Sequence, residues 1–207
     1  INYLSLVKFS HTIFAMPFAM IGFSLGLISI ELRNNSYEIA SRLFLVVLCM
    51  VLARSAAMAF NRYLDRSFDA RNPRTAIREI PAGIVSANSA LWFSIACSIL
   101  FILCTWFINR ICFYLSPVAL FVILFYSYTK RFTVLCHLVL GLGLSLAPIG
   151  AYLAVTGKFH LLPVLFSLTV LFWVSGFDII YALQDEEFDQ SQNLYSIPAA
   201  LGKARAL

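Results

Sequence analysis

Charge is what this chain has least of. Aspartate, glutamate, lysine and arginine together make 12% of its 207 residues, about half the share usual in a soluble domain. Hydrophobic residues make 61%, and mean hydropathy is +0.86. That scarcity excludes a soluble domain with a large core and points to a polytopic membrane protein. Metal-ligand spacing among cysteines is also missing. Cys49, Cys97, Cys104, Cys112 and Cys136 fall within or at the edge of apolar runs. They read as small buried hydrophobes, with no disulfide framework suggested. A cleavable signal peptide is not expected, because the first apolar run is long enough to span and others follow it. A nucleic-acid-binding patch is absent too. Net charge is +5, but the bases fall in short loops between apolar runs, so the expected partner is the lipid bilayer and not nucleic acid. The chain opens on Ile1 and stops soon after its last acidic cluster, so a single domain over 1–207, shortened at its C-terminus, is expected.

Six segments hold apolar runs long enough to cross a bilayer as helices: 12–30, 42 to about 69 (its apolar part interrupted by Arg54), 87–109, 111–129, 132–157 and 159–177. An all-α transmembrane bundle is therefore predicted. A short amphipathic stretch carrying Lys8 and His11 precedes the first run, and 31–41 reads as a polar loop. Pro73 and Pro81 break the second helix into a loop over 70–86. Alternating the spans puts ten bases on one side: Lys8, Arg62, Arg66, Arg71, Arg74, Arg78, Lys130, Arg131, Lys203 and Arg205. The other side holds four: Arg33, Arg42, Arg110 and Lys158. The excess assigns the first side to the cytoplasm.

Where acids do occur, they are patterned. Asn61, Asp65 and Asp69 lie four apart at the end of the second run, so a helix would put all three on one face. Arg71, Arg74 and Arg78 follow. Asp185 and Asp189 repeat the spacing 120 residues later, with Tyr181 where Asn61 stands in the first stretch. Spans two and six end on the same side, so the two stretches can face each other. Carboxylates alone suggest a divalent cation and arginines alone suggest phosphate; together they suggest a metal–diphosphate site. Above an apolar bundle, such a site suits a polyprenyl diphosphate. Metal ions would stabilise the departing diphosphate, and aromatic rings, with 19 Phe and 9 Tyr available, would stabilise an allylic cation.

The two motifs, Asn61-x3-Asp65-x3-Asp69 continuing as NPRT and REIPAG, and Asp178-x2-Tyr181-x3-Asp185-x3-Asp189 continuing into YSIPAALG, resemble those of the UbiA family of intramembrane aromatic prenyltransferases. The stretch YSYTKRFTVLCHLVLGLGLSLAPIGAYLA is similar to the loop after the family's fourth helix and to its fifth helix. Within the family, the chain looks most like bacterial 4-hydroxybenzoate polyprenyltransferases, and KFSHTIFAMPFA with GFDIIYALQDEEFD is also similar to the branch assigned to the futalosine route of menaquinone synthesis. The resemblance implies Mg²⁺, a polyprenyl diphosphate donor and an aromatic acid acceptor, either 4-hydroxybenzoate or a dihydroxynaphthoate, in a bacterial plasma-membrane enzyme with its site facing the cytoplasm. It implies Asn61, Asp65 and Asp69 as one metal–diphosphate site and Asp185 and Asp189 as the other. Arg74, Arg78, Lys130, Arg131 and Tyr181 would lie near the diphosphate. The family usually has nine spans, of which six are expected here.

Arg54 falls at membrane depth, seven residues before Asn61 and on its face. Two roles stay open for it: binding the acceptor carboxylate, or a structural ion pair with a motif aspartate. Two other functions compete. CDP-alcohol phosphotransferases also carry spaced aspartates, but need a DG-x2-AR run that is absent here. A cation transporter could use clustered carboxylates, but those should lie near the midplane and without flanking arginines.

Overall fold

The computed structural model describes residues 5–7, 9–30 and 36–206, without the side chains of 9–13. Lys8 and Arg33, counted above for topology, and the His11 side chain lie outside the described residues. The secondary structure is helical: α1 (Phe9–Ser29), α2 (Ser36–Arg71), α3 (Ala87–Ile108), α4 (Arg110–Thr129), α5 (Cys136–Thr156) and α6 (Leu161–Ala182). A 3₁₀ turn (Leu183–Asp185) and three short helices follow: α7 (Glu186–Ser191), α8 (Ile197–Leu201) and α9 (Lys203–Ala206). Five helices are long and apolar enough to cross a membrane, and α1 adds a shorter apolar stretch, Phe14–Ser29. Together they make the six expected segments of an all-α transmembrane bundle. Helices prevail because hydrocarbon offers no partner to backbone N–H and C=O groups, which must bond within the segment. Large apolar side chains turn outward, Trp92, Phe107 and Phe172 among them, as suits lipid-facing surfaces.

Small residues set the helix crossings. Gly22 of α1 faces the Pro148 carbonyl of α5, and a Cβ there would lie 2.0 Å from that oxygen. Gly26, one turn on, meets Val155. The pair forms a small-xxx-small stripe, which lets two backbones approach in a membrane. Around it pack Ala19, Phe23, Val46, Ala151 and Ala154. Gly141 of α5 likewise sits against Ser175 and Leu171 of α6. On the other flank, Ser94 Oγ of α3 donates to the Ala56 carbonyl of α2 at 2.9 Å.

The helix ends explain the departures from the predicted bounds. Helix α2 starts at Ser36 and absorbs half of the expected loop, because Glu38 and Arg42 form an i,i+4 pair at 2.6 Å. Arg42 then reaches the Val155 carbonyl at 2.6 Å, at the end of α5. Asn109 makes the tight turn between α3 and α4. It accepts from Cys112 N–H at 2.9 Å as an N-cap and donates to the Leu153 carbonyl at 2.8 Å. Helix α5 begins only at Cys136, since residues 130–135 form turns. At ~1.5 Å per residue, the 36 residues of α2 run to about 54 Å. That exceeds the ~30 Å hydrocarbon thickness, so an end must project, and its polar C-terminal turns carry Asn61, Asp65 and Asp69.

Candidate functional site

Helix α2 ends at Arg71, and Asn72 starts a compact loop. Asn72 Oδ1 accepts from Arg74 N–H at 2.9 Å, an Asx turn. Gly83, at φ +72°, lets the chain reverse so that Ile84 and Val85 N–H both reach the Glu79 carbonyl. From the other side, Ser5 Oγ donates to Glu79, and Leu6 is buried with Ala59, Val85 and Ala90. This packing fixes where Arg74 and Arg78 point.

The two acidic stretches do face each other. Asn61, Asp65, Asp69, Asp185 and Asp189 all line one cavity of about 650 Å³ at the end of the bundle. Arg74, Arg78, Lys130, Arg131 and Tyr181 line it too, so every residue singled out for the metal–diphosphate region is brought together there. Asp185 and Asp189 do not share one continuous helix, however. Helix α6 ends at Ala182 and the 3₁₀ turn re-aims the chain before α7.

Each motif aspartate meets a different base. Arg131 Nη2 donates to Asp65 Oδ1 at 3.1 Å, while Asn61 Nδ2 donates to Asp65 Oδ2 at 3.1 Å. Arg78 Nη1 bonds Asp69 Oδ1 at 2.5 Å. Arg74 grips Asp185 with two nitrogens, Nε at 3.0 Å and Nη2 in a shorter contact. Lys130 Nζ lies 2.7 Å from Asp189 Oδ1. The adjacent bases Lys130 and Arg131 thus split between the motifs, one to each. Burial works against the charge on Arg74, but the forked contact with Asp185 outweighs it and raises its pKa above the usual arginine value. Tyr181 sits under Arg74, 5.8 Å from guanidinium to ring centre.

Asp69 Oδ2 is buried with no hydrogen-bond partner. Buried carboxylate oxygens are costly to leave so, and they are the hard oxygen donors that Mg²⁺ prefers. Among the described residues, no three acidic, histidine or cysteine side chains converge as a ready-made metal cage. The fit is therefore to an ion held by one or two carboxylates with the rest of its shell from water and phosphate.

Sequence reasoning assigned no site role to Asn72, Tyr126 or His137, and named Asp178 only as the start of the second motif. Asn72 donates to Asp185 Oδ1 at 3.1 Å; it had been read only as part of NPRT. His137 and Asp178 pair at 2.7 Å on the cavity wall. The signal for His137 was its place in the stretch after the fourth span that resembles the family. Tyr126, four residues before Lys130 and so on its face, lines the cavity as well.

Beneath lies a second, apolar cavity of about 200 Å³, lined by small side chains such as Ala19, Ala119, Gly143, Ala147 and Ala151. Arg54, Tyr126, Leu140 and Leu144 line both cavities, so the charged chamber and the apolar one meet there. Arg54 Nε is buried without a partner, and all four motif aspartates pair with other bases. The ion-pair role for Arg54 finds no support in this geometry.

Known proteins share this architecture. A UbiA homologue from Aeropyrum pernix K1 superposes with a TM-score of 0.83 at 35% identity, over 95% of this chain and 72% of that one. A UbiA homologue from Archaeoglobus fulgidus, solved bound to DMAPP and Mg²⁺, gives 0.79 at 23% identity over 100% and 71%, a likeness of fold. Among curated relatives, a 4-hydroxybenzoate octaprenyltransferase of Francisella tularensis subsp. novicida is 29% identical over 85% of this chain and 62% of its own length. One from Tolumonas auensis is 35% identical over 72% and 52%. The chain thus spans about half to three-fifths of the length of these curated relatives. The model of the UbiA prenyltransferase family matches residues 15–207, nearly the whole chain, and the protein belongs to that family.

Proposed function

We propose that this chain houses the donor and acceptor sites of an Mg²⁺-dependent aromatic polyprenyltransferase of quinone biosynthesis. The donor is a polyprenyl diphosphate, and the acceptor is 4-hydroxybenzoate or a dihydroxynaphthoate. One observation carries the reading. Two acid–base clusters face each other across a chamber that opens, past Arg54 and Tyr126, onto an apolar cavity. A diphosphate head and a polyprenyl tail need those two environments side by side.

Asp65 and Asp69 with Asn61, and Asp185 with Asp189, would hold the metal. Bound Mg²⁺ would supply Lewis-acid stabilisation of the departing diphosphate. Arg74, Arg78, Lys130 and Arg131 neutralise the aspartates as the site stands. With Mg²⁺ on the carboxylates, these bases would be free to bind diphosphate oxygens, one set of charge pairs replacing another. The apolar cavity holds the first part of the tail and keeps water from the reacting carbon. Arg54 at the junction receives the acceptor carboxylate, and the Tyr126 ring offers a π face there. The relatives named 4-hydroxybenzoate octaprenyltransferase and the DMAPP- and Mg²⁺-bound homologue support this reading. The basic excess at the site's end of the bundle supports a multi-pass plasma-membrane protein with the site toward the cytoplasm. Pairing of every motif acid with a base argues against a cation transporter, whose pathway those bases would repel.

The test is prenyl transfer in membranes holding the protein, with labelled polyprenyl diphosphate, Mg²⁺ and each acceptor in turn. Product from one acceptor, lost with EDTA and in Asp65→Ala, is the expected result. Folded protein yielding product from neither acceptor would overturn the assignment.

A further inference from the structure

His137 stands in the first turn of α5, 3% exposed, on the chamber wall. Both ring nitrogens are engaged. Nδ1 lies 2.7 Å from Asp178 Oδ2 on α6, and Nε2 accepts the Ile197 N–H at 3.3 Å. The geometry suits the tautomer with its proton on Nδ1, facing Asp178, and with Nε2 open to the Ile197 N–H. The imidazole is thus a two-ended strut.

Its two partners bracket the second acidic stretch. Asp178 precedes Asp185 and Asp189, and Ile197 follows them. Between lies the break where α6 gives way to the 3₁₀ turn and α7. A broken helix does not hold its own register, so what fixes the two aspartates must come from outside. The chain after Asp189 folds back against the start of α5. Leu194 N–H bonds the Asp189 carbonyl at 2.9 Å, and Tyr195 N–H bonds the Lys130 carbonyl at 2.7 Å. Cys136 Sγ donates to the Tyr195 carbonyl at 3.5 Å. Ser175 Oγ, on α6, donates to the His137 carbonyl at 3.1 Å. The returning chain also encloses Asp189, whose side chain is fully buried.

We infer that His137 is a positioning residue. By gripping Asp178 and Ile197 together, it clamps both ends of the segment that carries Asp185 and Asp189 and sets how well that pair binds the donor head. The donor role rests on the function proposed above; the clamp itself does not. It acts on substrate only through the segment it holds.

The experiment compares His137→Ala and His137→Gln with the parent chain in detergent. Glutamine can donate to Asp178 and accept from Ile197, whereas alanine can do neither. Two readouts are taken: backbone hydrogen exchange over residues 192–199, and the KM values for geranyl diphosphate with Mg²⁺ and for the acceptor. The alanine variant is expected to exchange at least tenfold faster in that segment. Its donor KM should rise about tenfold with acceptor KM within twofold of the parent, and glutamine should recover both. Unchanged exchange in the alanine variant, or acceptor and donor KM rising together, overturns the inference. Should alanine not fold, His137→Asn, too short to span both partners, takes its place. If the parent chain transfers nothing, the exchange comparison still decides the clamp, and the failure falls on the donor reading alone.

Discussion

Lys130 and Asp189 form a lopsided pair. The aspartate side chain is 0% exposed and the lysine 36%. The two single substitutions should therefore differ sharply in cost. Lys130→Met leaves a buried carboxylate with its counter-charge gone, a loss of about 3–5 kcal/mol. Asp189→Leu leaves a lysine that can turn toward water, so the charge term there is about 1 kcal/mol or less. For a chain of this length, Lys130→Met should lower Tm by about 6–20 °C at ~2–4 °C per kcal/mol. The double variant removes both charges, and the cycle should show a favourable coupling of about 2–3 kcal/mol. The assay is thermal unfolding of the four proteins in one detergent, followed by loss of helical ellipticity. Equal Tm losses in the two single variants, or strict additivity in the double, would refute the claim that Asp189 depends on Lys130. Prenyl transfer separates stability from function: the double variant should fold well and still be inactive, because Asp189 itself is gone.

Other expectations follow from the same geometry. Asp65→Asn keeps the hydrogen-bonding shape but removes the charge, and should cut transfer on the order of 10²-fold or more with Tm nearly unchanged; near-parent turnover would remove Asp65 from the metal site. Arg54→Met removes a charge-assisted contact of ~1.5–3 kcal/mol, so acceptor KM should rise at least tenfold while donor KM holds; an unchanged acceptor KM rejects the role given to Arg54. Gly22→Leu pushes a side chain into the Pro148 carbonyl of α5 and should cost about 1–3 kcal/mol or more through overpacking, read as a lower Tm, whereas Gly150→Ala meets open space and should be silent.

The sequence by itself determined the class of fold and named most of the charged residues that line the candidate site. Near-absence of charge over six runs forces helices, because a bilayer leaves backbone groups no other partner. The i,i+4 spacing of Asn61, Asp65 and Asp69 fixes a common face before any tertiary contact exists. Counting spans placed both acidic stretches at one end, so their meeting in one chamber followed from topology. Tertiary structure decided which base meets which acid. Lys130 and Arg131 are neighbours in sequence yet serve opposite motifs, and Arg74 crosses to Asp185 in preference to the aspartates beside it. Those choices depend on how the helices are set against one another, and α1, α5 and α6 are drawn together by close approaches at Gly22, Gly26 and Gly141. Spacing along the chain does not encode such distances. The same holds for His137 and Tyr126, which read as ordinary membrane-helix residues until the fold puts one beside Asp178 and the other where the polar and apolar cavities join.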